Sequence, residues 1–175
     1  MALANNLRYI NSYICHTRQN NDQRMNIDFK YQVYEACLSA IDQKIEMMQN
    51  ELFNIMDDGN NESKSSAGDK HETSKAMNQL EQEKLAVQLD ELEKQKNELQ
   101  KIDLSLDLGY IMKGSLVFTN QGYLFVAIGL GKVKVKDNII FAVSTTSPLG
   151  KEIIGHKRNE QLEVNGINYE IKKIW

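Results

Sequence analysis

The chain has 175 residues and a formal net charge of -3, from 21 basic and 24 acidic side chains. Charges so close to balance exclude a protein whose whole surface binds nucleic acid electrostatically. With 2 cysteines and no run near the roughly 18 apolar residues of a membrane span, we expect a cytoplasmic protein without a disulfide framework.

Residues 1–24 show no sustained hydrophobic period and end in a polar cluster. Regular patterning begins just after Met25. We therefore interpret residues 1–24 as a disordered leader without a function of its own, or as translated sequence upstream of a true start at Met25.

Apolar residues then recur in alternating steps of four and three, which is the pattern of a coiled-coil helix. They are Tyr34, Leu38, Ile41, Ile45, Met48, Leu52 and Ile55. Residues 57–70 break this pattern with Gly, Asn and Ser, which favour turns. A second helical run over about residues 72–102 has its apolar positions at Met77, Leu80, Leu85, Leu89, Leu92, Leu99 and Ile102. Two helices joined by a short polar turn predict an antiparallel hairpin over residues 25–104, with its tip at about 57–72.

The last part of the chain has the pattern of a small antiparallel sheet. Short β-branched and apolar runs cover residues 115–118, 123–128, 132–135, 139–143, 161–164 and 168–174. Pro148 suits the first turn of a short helix, and Asn165-Gly166 is a strong hairpin signal. The expected fold class is α+β: a helical hairpin, then a β domain over residues 108–175 with one short helix.

The tip of the predicted hairpin carries the acidic pair Asp69 and Glu72. This spacing puts both side chains on one side of a helix start, where they could hold a Mg²⁺ ion through oxygen ligands. The same spacing is also that of a capping box, in which Asp69 accepts from the helix N-terminus and Glu72 reaches back. A capped, rigid turn would also hold a carboxylate still, so the two interpretations are compatible.

Two segments resemble the bacterial Gre transcript-cleavage and elongation factors. Residues 68–73, Gly-Asp-Lys-His-Glu-Thr, are similar to the Gly-Asp-Leu-x-Glu-Asn tip of that family. Residues 147–157 begin with Ser-Pro and end with Ile-Ile-Gly-His-Lys, which is similar to the family's Ser-Pro-(x)n-Leu-Ile-Gly-Lys segment. Both motifs stand in the family's order, and the resemblance covers about residues 31–175.

The resemblance implies that the chain acts by binding to another protein. In that family the β domain is FKBP-like without prolyl isomerase activity, and it docks at the rim of the secondary channel of RNA polymerase. The coiled coil enters the channel. Its tip acids, which correspond to Asp69 and Glu72, bind a Mg²⁺ ion shared with the polymerase and position water near the RNA 3′ end. The chain would then be an accessory factor and no enzyme, without a cofactor of its own.

The tip departs from the family pattern at Lys70, Thr73 and Ala76, where the family has Leu, Asn and an aromatic residue. These departures favour, as an alternative, a regulator that occupies the channel without stimulating cleavage. A third hypothesis is a coiled-coil interaction protein that pairs with other chains. A hairpin that closes on itself predicts a monomer.

Two further features are open at this stage. Cys37 lies beside the first heptad pattern and is expected to be a small packing residue. Lys132, Lys134 and Lys136 alternate along one predicted strand. Such a face is usually solvated, but it could also contact polymerase or nucleic acid.

Overall fold

A computed structural model describes the backbone of residues 2–62 and 70–175, and the side chains of residues 27–57 and 76–175. Helix α1 spans Ala2–Glu62 and helix α2 spans Lys70–Gln100, and the two pack together as a hairpin. With a rise of 1.5 Å per residue, α2 is about 46 Å long. Neither helix, nor any other among the described residues, is apolar over a stretch long enough to cross a membrane.

Residues 2–24 of the predicted leader fall within the helical backbone of α1. The side chains before residue 27 lie outside the described residues. The two interpretations of this stretch, as a disordered leader or as sequence upstream of a true start at Met25, stay predictions.

The heptad pattern of α1 is confirmed. Ile41 and Ile45 are buried, and the other pattern positions of α1 are half-buried. In α2 the packed positions follow the same alternating steps, through Asn78, Gln82, Leu85, Leu89, Leu92, Lys96 and Leu99. Met77 and Leu80, which the apolar pattern placed on the packed face, are 69% and 68% exposed. That expectation was wrong because polar side chains hold the packed positions near the tip.

The β domain is a six-stranded sheet in the order β3-β4-β2-β1-β6-β5. Its strands are β1 Leu116–Thr119, β2 Gly122–Ala127, β3 Gly131–Val135, β4 Asn138–Ser144, β5 Gln161–Val164 and β6 Ile167–Ile174. Helix α3, Pro148–Ile153, lies between β4 and β5 in the chain. Every pair is antiparallel except β2 with β4, which is parallel. The α+β fold class is confirmed, whereas the FKBP-like assignment stays a prediction.

Local turn chemistry explains two of these boundaries. Asn165 and Gly166, with φ of 53° and 76°, close the β5–β6 hairpin in the left-handed conformations that a tight turn requires. Pro148 is the first residue of α3, and the Ser147 hydroxyl caps that helix by accepting from the Gly150 N–H. The hairpin turn and the helix start at Pro148 were predicted from the sequence, whereas the Ser147 cap was not.

The sheet packs against a hydrophobic core on each of its faces, as the alternation along β2 shows. Phe125 and Ala127 belong to a first core that also includes the lower part of the hairpin, whereas Leu124 and Val126 belong to a second core with Ile153 of α3. The first core comprises Val33, Cys37, Ile41, Ile45, Leu99, Leu104, Leu116, Phe125, Ala127, Ile128, Val133, Val135, Ile140 and Ala142. The division into residues 25–104 and 108–175 stays a prediction, but the first core takes residues from both.

Candidate functional site

The predicted tip lies where α1 ends and α2 begins. Asp69 falls in residues 63–69, outside the described residues. Glu72 is the third residue of α2, but its side chain is not among those described. The metal-binding and capping interpretations of this pair therefore both stay predictions. Within the described side chains, no group of three or more His, Cys, Asp or Glu could hold a metal ion.

The base of the hairpin is fastened to the rest of the chain by a buried lysine. Lys30 of α1 donates from Nζ to the backbone oxygen of Leu104, beyond the end of α2, at 3.0 Å. Burial lowers the pKa of Lys30, and the nearby carboxylates of Asp107 and Asp103 oppose that shift. Because a buried ammonium needs a partner, this bond fixes α1 against the segment that leads from α2 to the sheet.

Ion pairs link the two helices to each other and link α2 to the segment just before the sheet. Lys96 Nζ lies 2.7 Å from the Asp42 carboxylate across the hairpin. At the end of α2, Glu98 pairs with Lys113, which lies just before β1, and with Lys101 at 3.4 Å. The hydrogen bonds from Lys113 and then Lys101 lower the pKa of Glu98. Exposed pairs contribute little free energy, so their main effect is on orientation.

Gly114 allows the chain to turn from the hairpin into the sheet at close range. A Cβ atom at this position would lie 2.5 Å from Ile102 Cγ2, and the φ of Gly114 is +93°. The Gly114 N–H donates to the Val126 backbone oxygen at 2.6 Å. A side chain here would collide with Ile102 and would have to adopt a left-handed backbone conformation, so this turn requires glycine.

A cleft of about 380 Å³ lies between the lower part of α2 and two loops of the sheet. Its lining is Glu91, Lys94, Gln95, Glu98, Lys113, Ala127, Ile128, Gly129, Ser144, Thr145 and Thr146. The Ser144 and Thr146 hydroxyls lie 2.8 Å apart, and the Thr146 N–H donates to Ser144 Oγ at 3.1 Å. The cleft offers hydroxyls and charges of both signs, which suit a polar protein surface better than a metal ion.

The segment Ser147-Pro148-Leu149-Gly150, which carries part of the family resemblance, borders this cleft. Ser147 Oγ donates to the Ser144 backbone oxygen at 2.7 Å and accepts from the Gly150 N–H at 3.0 Å. A Cβ on Gly150 would lie 1.9 Å from that same Ser144 oxygen. The serine and the glycine thus have a structural role in joining β4 to α3.

Sequence reasoning missed Lys30, the Glu98–Lys113 pair and the cleft. A signal for Lys30 was present, because it lies four residues before Tyr34 on the apolar side of α1. A cation at such a position indicates a buried partner. The other two features depend on how the hairpin approaches the sheet, which no local pattern encodes.

Comparison with known proteins gives a distant likeness. No family model matches the chain, and no curated protein matches it. A solved structure described as that of the transcription factor Gfh1 aligns with 77% of this chain and 89% of that chain, at 18% identity and a TM-score of 0.31. A likeness at this level carries no argument about function, which therefore rests on the residues themselves.

Proposed function

We propose that this chain is an accessory factor of bacterial RNA polymerase that inserts its helical arm into the secondary channel and stimulates the polymerase to hydrolyse backtracked RNA. The observation that carries the proposal is a helical arm about 46 Å long, packed at its base against a small sheet through a shared core. The encoded tip of that arm contains the acidic pair Asp69 and Glu72.

The arm supports this function because a base that is fixed to the sheet also fixes the position of the tip at the far end of the arm. Phosphoryl chemistry with two metal ions needs carboxylates held close to the reacting phosphate. The first core, which Ile41 of the arm shares with Phe125 of the sheet, holds the base of the arm against the sheet. The Lys30–Leu104 bond fixes α1 to the segment after α2. Asp69 and Glu72 would supply oxygen ligands for a Mg²⁺ ion shared with the polymerase and would orient the attacking water. The chain would hold no cofactor when it is free.

The sheet would remain outside the channel, where the cleft beside α2 is accessible to a polar protein surface. Ser144, Thr145 and Thr146 lie at its edge, next to the segment that resembles the family. In this proposal the protein acts as a monomer in the cytoplasm. The RNA 3′ end is contacted only within the complex with polymerase.

A second candidate function has one specific observation in its favour. Lys70 adds a positive charge between the proposed metal ligands, and Thr73 and Ala76 replace the Asn and the aromatic residue of the family's tip. A cation beside a metal site weakens metal binding by repulsion. A regulator that occupies the channel without stimulating cleavage would tolerate these changes.

The test uses backtracked elongation complexes, assembled with RNA whose 3′ end is mismatched. Wild type and the Asp69→Ala/Glu72→Ala variant are compared for Mg²⁺-dependent shortening of the RNA. We expect the variant to bind polymerase normally but to lower the cleavage rate roughly 100-fold, since a metal ligand contributes several kcal/mol to the transition state.

The matched control is Glu46→Ala/Glu93→Ala, which removes the same charge from exposed positions along the arm. This variant should cleave at the wild-type rate. If wild type binds polymerase and shortens no RNA, the cleavage function is wrong and the non-cleaving regulator is supported. If wild type does not bind polymerase, both candidates are wrong.

A further inference from the structure

The outer face of the sheet carries a patch that neither core covers. Lys132 and Lys134 of β3 lie opposite Phe141 and Ile139 of β4 in the antiparallel register. The intervening residues, such as Val133 and Ile140, point into the first core. Because side chains alternate between the two faces, these four residues share the opposite face. We call Lys132, Lys134, Ile139 and Phe141 the basic–apolar patch.

The apolar half of the patch is exposed. Ile139 is 55% exposed and Phe141 is 37% exposed, and they lie two residues apart on one face of β4. On the neighbouring strand β2, Leu124 and Val126 are buried in the second core. The second core reaches β4 only through Val143, and Ile139 and Phe141 lie beyond it.

The basic half of the patch has no anionic partner among the described residues. Lys132 and Lys134 are both exposed, and no carboxylate of the described part of the chain forms an ion pair with either. Lys132 Nζ lies 5.7 Å from the Phe141 ring centroid, a cation–π contact that keeps the charge over the apolar surface. The patch is a local positive surface on a chain whose net charge is -3.

The position of β3 leaves the patch open to a partner. β3 is the edge strand of the sheet, so within the described part of the chain no strand neighbours one side of the patch. Lysines on an edge strand discourage pairing with other strands. This effect would be enough to explain the presence of Lys132 and Lys134. It does not explain two exposed apolar side chains directly opposite them.

We propose that the basic–apolar patch is a docking surface for an acidic segment of a partner protein, in which carboxylates alternate with apolar side chains. The carboxylates pair with Lys132 and Lys134, and the apolar side chains cover Ile139 and Phe141. A nucleic acid fits less well, since it needs a larger basic surface, and the chain as a whole is acidic. The proposal does not depend on transcript cleavage.

The probe is a fluorescein-labelled peptide of about ten residues in which Glu alternates with Leu or Val. Its binding to the full chain is measured by fluorescence anisotropy, beside a peptide with Lys in place of Glu and a single-stranded oligo-dT. We expect the acidic peptide alone to bind. Amide NMR shifts on the wild-type protein should map its binding to β3 and β4.

Variants of both halves of the patch test the mechanism. Lys132→Glu/Lys134→Glu and Ile139→Thr/Phe141→Thr should each weaken binding roughly tenfold or more. The control Lys151→Glu/Lys172→Glu makes the same change of charge at exposed positions outside the patch and should bind as wild type does. The proposal is overturned if the acidic peptide does not bind, if the control weakens binding equally, if oligo-dT binds the patch instead, or if the NMR shifts lie elsewhere.

Discussion

At the scale of single residues, the burial of Cys37 makes the stability of the fold depend on pH. Its thiol is fully buried in the first core, and burial raises its pKa to about 12 from an ordinary value of 9.0. At pH 7 the thiol is neutral in both the folded and the unfolded chains. As pH rises from 9 towards 12, only the unfolded chain loses the proton, so the folded state loses stability.

We therefore expect the unfolding free energy of the wild type to fall more steeply above pH 9 than that of Cys37→Ala. At pH 10 the stability advantage of the wild type over Cys37→Ala should be about 1.4 kcal/mol smaller than at pH 7. Urea unfolding at the two pH values measures it. The small cavity that alanine leaves costs the same at both values and cancels in the comparison.

Thiol labelling gives an independent check in a Cys15→Ser background, where Cys37 is the only thiol. The folded protein should react with a thiol reagent only as fast as it unfolds, because the thiolate is the reactive form. Labelling at the rate of an exposed cysteine would contradict both the burial and the raised pKa.

At the scale of elements, the junction between β4 and α3 depends on one glycine. A Cβ on Gly150 would lie 1.9 Å from the Ser144 backbone oxygen, which also accepts from the Ser147 hydroxyl. Gly150→Ala should therefore displace the start of α3 and lower the unfolding free energy by about 1–3 kcal/mol. Thermal or urea unfolding of the full chain measures this loss.

Gly129→Ala is a matched control, because Gly129 also lies beside Ser144. A Cβ there would lie 3.6 Å from Ser144 Cβ, an ordinary van der Waals contact, and its backbone is not left-handed. We expect this variant to unfold within about 0.5 kcal/mol of the wild type. If the two variants lose the same unfolding free energy, the crowding at Gly150 does not destabilise the junction, and the prediction is wrong.

Most of these elements could be predicted because their signals are local. Asn165-Gly166 fixes a hairpin within a few residues, and Ser147-Pro148 marks a helix start. The parallel pairing of β2 with β4 could not be predicted, because it depends on β3 lying outside β4 in the sheet. The exposure of Ile139 and Phe141 was missed because the run over residues 139–143 has the composition of a fully buried strand.

In the candidate site, too, the local features could be predicted from the sequence and the tertiary contacts could not. Asp69 and Glu72 were singled out from their spacing and family resemblance alone, and they remain a prediction. Their support at the base of the arm, from Lys30 to Leu104, connects residues 74 positions apart in the chain. A contact of that kind arises from tertiary packing, so the sequence could indicate at most that Lys30 needs a partner.

At the scale of the whole molecule, the first core joins the arm to the sheet. Ile41 of α1 is fully buried in the same core as Phe125 of β2, and Trp175 packs against that core from the chain end. Ile41→Ala should therefore destabilise both parts together, by about 2–5 kcal/mol. Circular dichroism at 222 nm follows the helices, and the fluorescence of Trp175, the single tryptophan, follows the sheet.

Ile55→Ala is the matched control, because Ile55 is half-buried near the tip and belongs to neither core. We expect Ile41→Ala to move both unfolding midpoints equally, and Ile55→Ala to move the helical signal with little change in Trp175 fluorescence. If Ile41→Ala moves the helical signal alone, the arm and sheet unfold independently. The arm would then be able to swing on its base, and its tip could not be held in one position by the sheet.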